Sequence, residues 1–472
     1  MLRSLLLASL GAAALASGAA TAQLPDRIAR VLSALDIPEG DVSIVVEAAG
    51  ADEPVLSHLP ALSRNPASVM KLVTTWSALE LLGPAWIWPT EVYFLGSFDG
   101  STLNGDLGIK GYGDPFLVQE EIWKLLRRLR SVGLQTVTGD LILDDSYFDV
   151  REPPPGEFDA QATRTYNVVP NALLMNFKAV QFQFRPDAPR NAVRVATDPP
   201  LRSLRIVNGI DLGAGRCGGY QYGVSFNADP SRADTVLLDG EFSRSCRVYS
   251  MTRTVLEHDT YADALLRLIF AELGGSIEGR MHRTAIAEGE EPSIVWSSRP
   301  LADLLRSINK NSNNVMTRQL LYTLGAQHAG EPGTRENGIA AIEQFFQAQG
   351  LDTTTLNVVN GAGLAREARV SAQLLVDMLQ ASLKSPFAAE FVSSLSIGGI
   401  DGTTRGRYDS YSGGGRTHLK TGSMDHVSAI AGFAHHSDGT DYVLSVIVNT
   451  PDAHRGLGHE VEEAVLAWLF AL

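Results

Sequence analysis

Lysine is scarce in this chain, although basic residues are not. Of the 39 basic residues in the 472-residue sequence only seven are lysine, and the rest are arginine. Arginine stays protonated in proteins, whereas a buried lysine can lose its proton. A lysine in this sequence is therefore a stronger candidate for proton transfer than a lysine in an average protein.

Cysteine is also scarce, and the chain has no excess of positive charge. The formal net charge of -14 argues against a nucleic-acid partner, because phosphate binding requires a basic surface. Cys217 and Cys246 are the only cysteines. We expect them to pair in an oxidising compartment, and two buried thiols are the alternative. Neither cysteine has metal-ligand spacing and no His-Glu-x-x-His motif occurs, so the sequence predicts no metal or organic cofactor.

Long apolar runs are confined to the N-terminus. Arg3 precedes a stretch of apolar and small residues from Leu5 to Ala16, and Ala20-Thr21-Ala22 follows it. A charged start, a short apolar segment and an Ala-x-Ala site are typical of a cleaved signal peptide. We therefore predict a signal peptide at residues 1–22, export to the periplasm, and no integral membrane segment once the signal is removed.

Helical and strand patterns divide the remaining chain into two interleaved parts. Helical periodicity dominates residues 23–88 and 292–472, and two strands occur near the end of the chain. Residues 89–291 are richer in short strands broken by Gly, Asn and Asp. We predict an α+β protein in which residues 23–88 and 292–472 form one domain. Residues 89–291 would form an inserted β-rich region of one or two subdomains.

The first candidate for chemistry is a Ser-x-x-Lys motif at a predicted helix start. Asn65-Pro66 predicts a turn, and Ser68 and Lys71 follow it one helical turn apart. A serine hydroxyl is a weak nucleophile unless a neighbouring base takes its proton, and a desolvated lysine can be that base. A capping serine followed by a solvated lysine is the simpler interpretation, since Ser307-x-x-Lys310 repeats the spacing.

The second candidate is Ser312-x-Asn314, which lies between two predicted helices. A hydroxyl and an amide in such a loop could relay a proton and orient a lysine. The simpler interpretation makes Ser312 an N-cap. Ser307-x-Asn309 has the same spacing, but it falls within the preceding helix.

The third candidate is the run Lys420-Thr421-Gly422-Ser423 on a predicted strand. Its ammonium and hydroxyl groups could bind a carboxylate, and its glycine would let another backbone approach closely. The backbone N–H groups of Ser423 and Ser68 could together face a developing oxyanion. A hairpin with an exposed lysine is the simpler interpretation.

Together, the three motifs occur in a characteristic order, each on the expected kind of element. The chain resembles the serine penicillin-recognising enzymes. It is most similar to the D-alanyl-D-alanine carboxypeptidase/endopeptidases of the penicillin-binding protein 4 type, the low-molecular-mass class C penicillin-binding proteins. Residues 139–148, 166–173, 360–364 and 399–403 look like signatures of that family. The large insertion between Lys71 and Ser312 is its most distinguishing trait.

The resemblance implies a β-lactamase/transpeptidase-like domain, with an antiparallel sheet flanked by helices. It also implies a serine DD-peptidase that hydrolyses peptidoglycan stem peptides through an acyl-enzyme and that β-lactams inhibit covalently. The implied catalytic residues are Ser68 as nucleophile, Lys71 as general base, Asn314 as orienting amide, and Ser312 with Lys420 as proton relay. The implied substrate-binding residues are Thr421, Gly422, Ser423, Asp144, Phe148 and Arg366.

This sequence departs from the family pattern at Ala365, Ala368 and Asp425. Three alternatives stay open: a DD-endopeptidase using the same site, a non-catalytic scaffold that binds peptidoglycan, and a β-lactamase-like hydrolase. The last fits less well, because the Glu-x-x-x-Asn of class A β-lactamases and the Tyr-x-Asn of class C enzymes are both absent.

Overall fold

A computed structural model describes residues 24–218, 223–229, 231–408 and 413–472. The predicted signal peptide, residues 1–22, lies outside the described residues. Within the described ranges, no helix is both long enough and apolar enough to cross a membrane.

Helices and strands alternate unevenly along the chain. The helices are α1 (Asp26–Ala34), α2 (Lys71–Leu82), α3 (Gln119–Ser131), α4 (His258–Glu272), α5 (Leu301–Lys310), α6 (Asn314–Ala329), α7 (Arg335–Ala348), α8 (Ala372–Leu383), α9 (Ala388–Ser394) and α10 (Leu457–Leu469). The strands before α4 are β1 (Val42–Ala48), β2 (Pro54–His58), β3 (Pro89–Phe98), β4 (Thr102–Gly111), β5 (Thr136–Val137), β6 (Leu141–Asp144), β7 (Val180–Asp187), β8 (Ala192–Asp198), β9 (Arg205–Gly213), β10 (Val224–Ala228), β11 (Thr235–Ser243) and β12 (Tyr249–Arg253). The later strands are β13 (Ser276–Ile277), β14 (Met281–Arg283), β15 (Ile294–Ser297), β16 (Ser396–Ile397), β17 (Thr417–Met424), β18 (Val427–His435) and β19 (Asp441–Asn449).

A six-stranded sheet carries one of the three motifs and supports the other two. Its order is β16-β17-β18-β19-β1-β2, and every neighbouring pair is antiparallel. Strands from both ends of the chain meet in it, with Val42 of β1 opposite Val448 of β19. The segments before and after the inserted region therefore share one sheet.

Both faces of this sheet are covered, which explains its apolar strands. In β1, Ile44 and Val46 face a core shared with α1 and α10, while Val45 faces a second core shared with α2, α5, α6 and α8. Successive side chains of a strand point to opposite faces, so a strand buried on both faces needs a continuous apolar run. Helices on both faces of an antiparallel sheet confirm the predicted α+β class.

The inserted region contains three further sheets around one shared core. A seven-stranded sheet follows the path β13-β5-β4-β3-β15, with β6 and β14 attached to β4, and two three-stranded sheets follow β10-β11-β9 and β12-β7-β8. Because β15 pairs with β3, the larger sheet continues past residue 291, where the sequence analysis placed the boundary. A disulfide joins Cys217 and Cys246 in this region, 29 residues apart in sequence.

Polar contacts fasten the inserted region to α6, the helix that begins at Asn314. The Glu152 carboxylate accepts hydrogen bonds from the Arg318 guanidinium and from the Tyr322 hydroxyl, each at 3.0 Å. The Glu152 and Arg318 side chains are both less than 10% exposed, so this ion pair is buried. The Gln319 amide exchanges two hydrogen bonds of 2.9 Å with the Asn171 backbone. The insertion thus holds α6 in place.

Candidate active site

Ser68 lies in a tight turn that leads into α2. A 3-10 turn spans Ala67–Met70, and the α-helix proper begins at Lys71. The Asn65 side chain holds the first residue of this turn, since its Oδ1 accepts the Ala67 N–H at 2.8 Å. Asn449 in turn holds the Asn65 backbone through two hydrogen bonds of 2.9 Å. The end of β19 therefore fixes the turn that carries Ser68, an anchor that the sequence analysis missed.

The Lys71 ammonium nitrogen has three oxygen neighbours. Nζ lies 2.9 Å from Ser68 Oγ, 2.6 Å from Asn314 Oδ1 and 2.6 Å from the Ala362 carbonyl oxygen. An amide oxygen and a carbonyl oxygen can only accept, so they take two N–H groups. The third position faces Ser68, and in the neutral amine the lone pair there can accept the serine proton.

Burial favours that neutral form. Lys71 is completely buried, and desolvation, aided by the nearby Lys420, holds the pKa of Lys71 well below its ordinary value of 10.5. A lysine with a strongly lowered pKa, in hydrogen-bond contact with a half-buried serine, has the geometry of a general base and its nucleophile.

A glycine turn brings the Ala362 carbonyl to Lys71. Gly363 has φ of 72°, and a Cβ there would come 1.9 Å from the Ala67 carbonyl oxygen. Only glycine allows this approach without a backbone shift. The residues of this turn were recognised as a family signature, but a contact made by a backbone carbonyl leaves no side-chain signal in the sequence.

Ser312 is not the N-cap of α6. Asn313 occupies that position, and its side chain accepts the Met316 N–H at 3.0 Å. Ser312 itself has φ of 54°, and its Oγ accepts a hydrogen bond from Lys420 Nζ at 2.9 Å. The rival Asn309 is fully buried and contacts Thr75 and Ser394. The rival spacing therefore has a structural role.

Lys420 lies on β17 with its side chain fully buried. Besides Ser312, Nζ donates to the Thr421 carbonyl oxygen at 2.7 Å. Desolvation lowers the pKa of Lys420 from 10.5 to about 7. Two buried lysines with lowered pKa values therefore lie near each other, and Lys71 pairs with Ser68 while Lys420 pairs with Ser312.

Gly422 explains how β17 and the nucleophile turn pack so closely. A Cβ at this position would lie 2.3 Å from the Pro66 carbonyl oxygen and 3.1 Å from Ser68 N. A side chain would separate the strand from the turn, whereas glycine brings Ser423, the next residue on the strand, close to the Ser68 turn. The structure thus brings Ser68, Lys71 and Asn314 together with Ser312 and Lys420, and it places Thr421, Gly422 and Ser423 beside them.

Asp144 and Phe148 do not join this group. The Asp144 carboxylate is 1% exposed and accepts the backbone N–H groups of Ser146 and Ile286, each at 2.9 Å. Phe148 is buried among aromatic rings, including that of Tyr322 at 5.3 Å between centroids. Because both side chains are covered, neither is available to a substrate in this structure.

Arg366 lies at the rim of the site. Its guanidinium is 3.6 Å from the Asp425 carboxylate, and it also stacks over the Phe158 ring of the inserted region. Arg366 and Asp425 line a pocket of about 350 Å³ together with Asn65, whose side chain contacts the Ser68 turn. Opposite charges therefore border the cleft where β17 ends.

One group of metal-binding residue types occurs near this rim in the described part of the chain. Potential ligand atoms of His426, Asp452 and His454 lie within 4.8 Å of one another. His426 Nδ1, however, accepts the Asp452 N–H, and His454 Nδ1 accepts the His426 N–H. A neutral imidazole used in this way carries its hydrogen on Nε2, so neither ring presents a lone pair to a metal in this arrangement.

Comparison with known proteins agrees with the geometry of this site. The model of the D-Ala-D-Ala carboxypeptidase 3 (S13) family matches residues 24–471. A D-alanyl-D-alanine carboxypeptidase from Actinomadura sp. (strain R39) is 27% identical over 92% of this chain and 82% of its own length.

Two solved structures share the fold. Penicillin-binding protein 4 from Haemophilus influenzae superposes with a TM-score of 0.80 at 21% identity, over 94% of this chain and 99% of its own. A penicillin G-acylated predatory endopeptidase from Bdellovibrio bacteriovorus does so with a TM-score of 0.53 at 16% identity, over 91% of this chain and 93% of its own. These likenesses confirm the predicted penicillin-binding-protein fold.

Proposed function

The chain belongs to the D-Ala-D-Ala carboxypeptidase 3 (S13) family, and we propose that it is an exported, penicillin-binding serine DD-peptidase that hydrolyses peptidoglycan stem peptides. The observation that carries the proposal is the 2.9 Å contact between Ser68 Oγ and the fully buried Lys71 Nζ. A serine beside a desolvated lysine supports covalent catalysis without a histidine. The proposal includes the predicted export of the protein to the periplasm.

Acylation begins at Ser68. Its Oγ attacks the carbonyl carbon of the penultimate D-Ala while neutral Lys71 takes the hydroxyl proton. The resulting oxyanion is stabilised by the backbone N–H groups of Ser68 and Ser423. Asn314 and the Ala362 carbonyl hold the Lys71 nitrogen, so its lone pair stays directed at the serine.

Release of the first product requires a proton on the leaving nitrogen. Lys420 contacts Ser312, so this pair can carry the proton that Lys71 took from Ser68 to the amine of the departing D-Ala as the C–N bond breaks, which leaves Lys71 neutral again. An ester between Ser68 and the remaining peptide is left. A water molecule that gives a proton to neutral Lys71 then attacks this ester. Lys71 returns that proton to Ser68 Oγ as the C–O bond breaks, which frees the shortened peptide and restores the Ser68 hydroxyl.

The edge of β17 supports binding of an extended peptide. Among the described residues β16 pairs with β17 only at Leu419 and His418, so the strand beyond Leu419 is not covered by β16. An extended peptide can add to such an edge through main-chain hydrogen bonds. In this arrangement Thr421 would lie beside the terminal carboxylate, and Arg366 would contact the peptide on the acyl side.

Labelled penicillin tests the nucleophile directly. Wild-type protein should gain the mass of one penicillin molecule, and Ser68→Ala should gain none. Ser307→Ala is the matched control, because Ser307 begins the rival Ser-x-x-Lys motif on α5 and should label normally. Covalent labelling of Ser68→Ala, or loss of labelling in Ser307→Ala, contradicts the assignment. A wild-type protein that forms no acyl-enzyme would favour a non-catalytic scaffold.

Cleavage of peptide cross-links is a second activity for the same residues. The likeness to the Bdellovibrio endopeptidase fold favours testing it. Digestion of purified sacculi, followed by separation of the muropeptides, distinguishes the two reactions. Release of D-Ala alone indicates carboxypeptidase action, whereas conversion of dimers to monomers indicates endopeptidase action.

A further inference from the structure

Thr403 touches the motif on β17 from a loop that the mechanism above does not use. This residue lies in a short 3-10 turn, Gly402–Thr404, between β16 and β17. The Thr421 hydroxyl donates to Thr403 Oγ1 at 2.8 Å. Thr403 is half-buried, and its hydroxyl contacts Thr421, the residue that follows Lys420 on β17.

The hydrogen bond between these two hydroxyls limits what Thr421 can offer. Each hydroxyl has one hydrogen. A hydrogen bond between two hydroxyls uses the hydrogen of the donor, and the hydrogen of the acceptor stays available. With Thr421 as the donor, Thr421 presents only lone pairs to a ligand. The hydrogen of the Thr403 hydroxyl is not used in this bond, and its other neighbour, Ser396 Oγ, lies at the long distance of 3.5 Å. A carboxylate accepts hydrogen bonds and cannot donate them when ionised. Thr403 is therefore the better placed of the two to meet a carboxylate.

An ion pair holds the loop of Thr403 against the loop of Ser312. Lys310 Nζ lies 2.6 Å from Asp401 Oδ2, and the second oxygen of Asp401 accepts the Ile397 N–H at 2.8 Å. Burial raises the pKa of Asp401, but these hydrogen bonds outweigh burial and leave that pKa below its ordinary value. The carboxylate therefore stays ionised and keeps Lys310 paired.

This ion pair joins the segment that carries Ser312 to the turn that carries Thr403. Lys310 comes two residues before Ser312, and Asp401 comes two residues before Thr403. The Thr403 N–H also bonds Ser396 Oγ on β16 at 3.3 Å. Fixing Lys310 to Asp401 thus fixes the distance between the proton-relay serine and the Thr403 hydroxyl.

We propose that Thr403 donates a hydrogen bond to the C-terminal carboxylate of the substrate, and that the Lys310–Asp401 ion pair positions it. This inference rests on the proposed DD-peptidase function. It makes Thr403 a specificity-determining residue that selects peptides with an ionised terminus. Lys310 and Asp401 are positioning residues, since they act through the loops they join.

Thr403→Val removes the hydroxyl and keeps the shape of the side chain. On a peptide ending in D-Ala-D-Ala, kcat/KM should fall by about 10- to 100-fold, the range expected for one hydrogen bond to a charged group. Thr403→Ser restores a hydroxyl and should recover most of this loss. The loss should appear mainly as a raised KM, because the carboxylate is bound before and during the reaction.

Thr404→Val is the matched control in the same turn. Thr404 is fully buried, and its hydroxyl donates to the Ile397 carbonyl oxygen at 3.0 Å. This variant should lower thermal stability yet leave the preference for an ionised substrate unchanged. The preference is measured as the ratio of acylation rates by benzylpenicillin and by its methyl ester. Thr403→Val should reduce that ratio by the factor it loses on the peptide.

The outcomes separate this inference from the proposed function. If the wild-type protein neither cleaves the peptide nor reacts with benzylpenicillin, the proposed function fails. If the wild-type protein is active and Thr403→Val matches it in both KM and the ester ratio, the inference on Thr403 is overturned. Asp401→Asn, Lys310→Met and the double variant test the positioning pair. Equal losses in all three support a shared role, and additive losses refute it.

Discussion

Replacing Lys420 by methionine should make the protein more stable while abolishing its activity. The Lys420 side chain is completely buried, and its charged form is strongly disfavoured there. Methionine has a similar length and no charge, so it can fill the same space without the cost of desolvating an ammonium group.

The size of the effect follows from the pKa of Lys420. Burial lowers this pKa from 10.5 to about 7. The interval spans about 3.5 pH units, and at about 1.4 kcal/mol per unit the buried charge costs about 5 kcal/mol below neutral pH. Losing the hydrogen bond to Ser312 offsets part of the gain from its removal, by about 1–3 kcal/mol.

The pH dependence gives a sharper test than the absolute stability. Between about pH 7 and about pH 10.5 the unfolded chain binds a proton at Lys420 that the folded chain lacks, so the free energy of unfolding rises with pH. Below about pH 7 both states carry the proton and this contribution is flat. The stability advantage of Lys420→Met over wild type should therefore shrink by about 3 kcal/mol between about pH 6.5 and about pH 9.5.

Urea unfolding at several pH values measures this difference. Hydrogen exchange of β17 and β18 assigns the relevant transition to the six-stranded sheet, because the inserted region has its own core. Lys384→Met is the control for replacing a lysine by methionine, since Lys384 is exposed and its charge is not buried on folding. A stability difference between Lys420→Met and wild type that stays constant across this pH range would refute the reasoning.

Three further variants probe the base, the docking of the inserted region and the disulfide. Lys71→Arg should lower kcat/KM by about 10²–10⁴-fold, because a guanidinium cannot take the serine proton, and near-normal peptide turnover would exclude Lys71 as the base. Glu152→Ala should lower the free energy of unfolding by about 3–5 kcal/mol, since it leaves Arg318 charged and buried, and an unchanged thermal midpoint would contradict that role. Replacing Cys217 and Cys246 by serine should cost about 3–4 kcal/mol of stability on the chain-entropy model, while the rate of penicillin acylation should not change.

Residues whose roles depend on local spacing were the most predictable part of the site. Ser68 and Lys71 are three residues apart, so any helical turn brings them to one side, and the structure shows their contact. Ser312 was harder, because its neighbour Asn313 is an equally good cap. The choice between them depends on the positive φ of Ser312, which the sequence pattern does not reveal.

Contacts across long stretches of sequence could not be derived from periodicity. The Ala362 carbonyl reaches Lys71 across 291 residues, and Asn449 holds Asn65 across 384. Such pairs depend on the packing of the whole domain, and a backbone oxygen has no residue-type signature. For Asp144, the expectation relied on family resemblance, whereas its burial depends on the sheet that surrounds it.

The shared six-stranded sheet also determines when the enzyme can become active. Ser68 lies near the start of the chain, but β1 beside it pairs with β19, which ends at Asn449. During synthesis or export, β1 cannot pair with β19 until almost the entire chain has been made. Pairings between such distant segments also form slowly. A chain cut before β19 should therefore fail to bind labelled penicillin. The nucleophile would thus be assembled only after almost the whole chain had emerged, so unfinished chains could not cleave peptides.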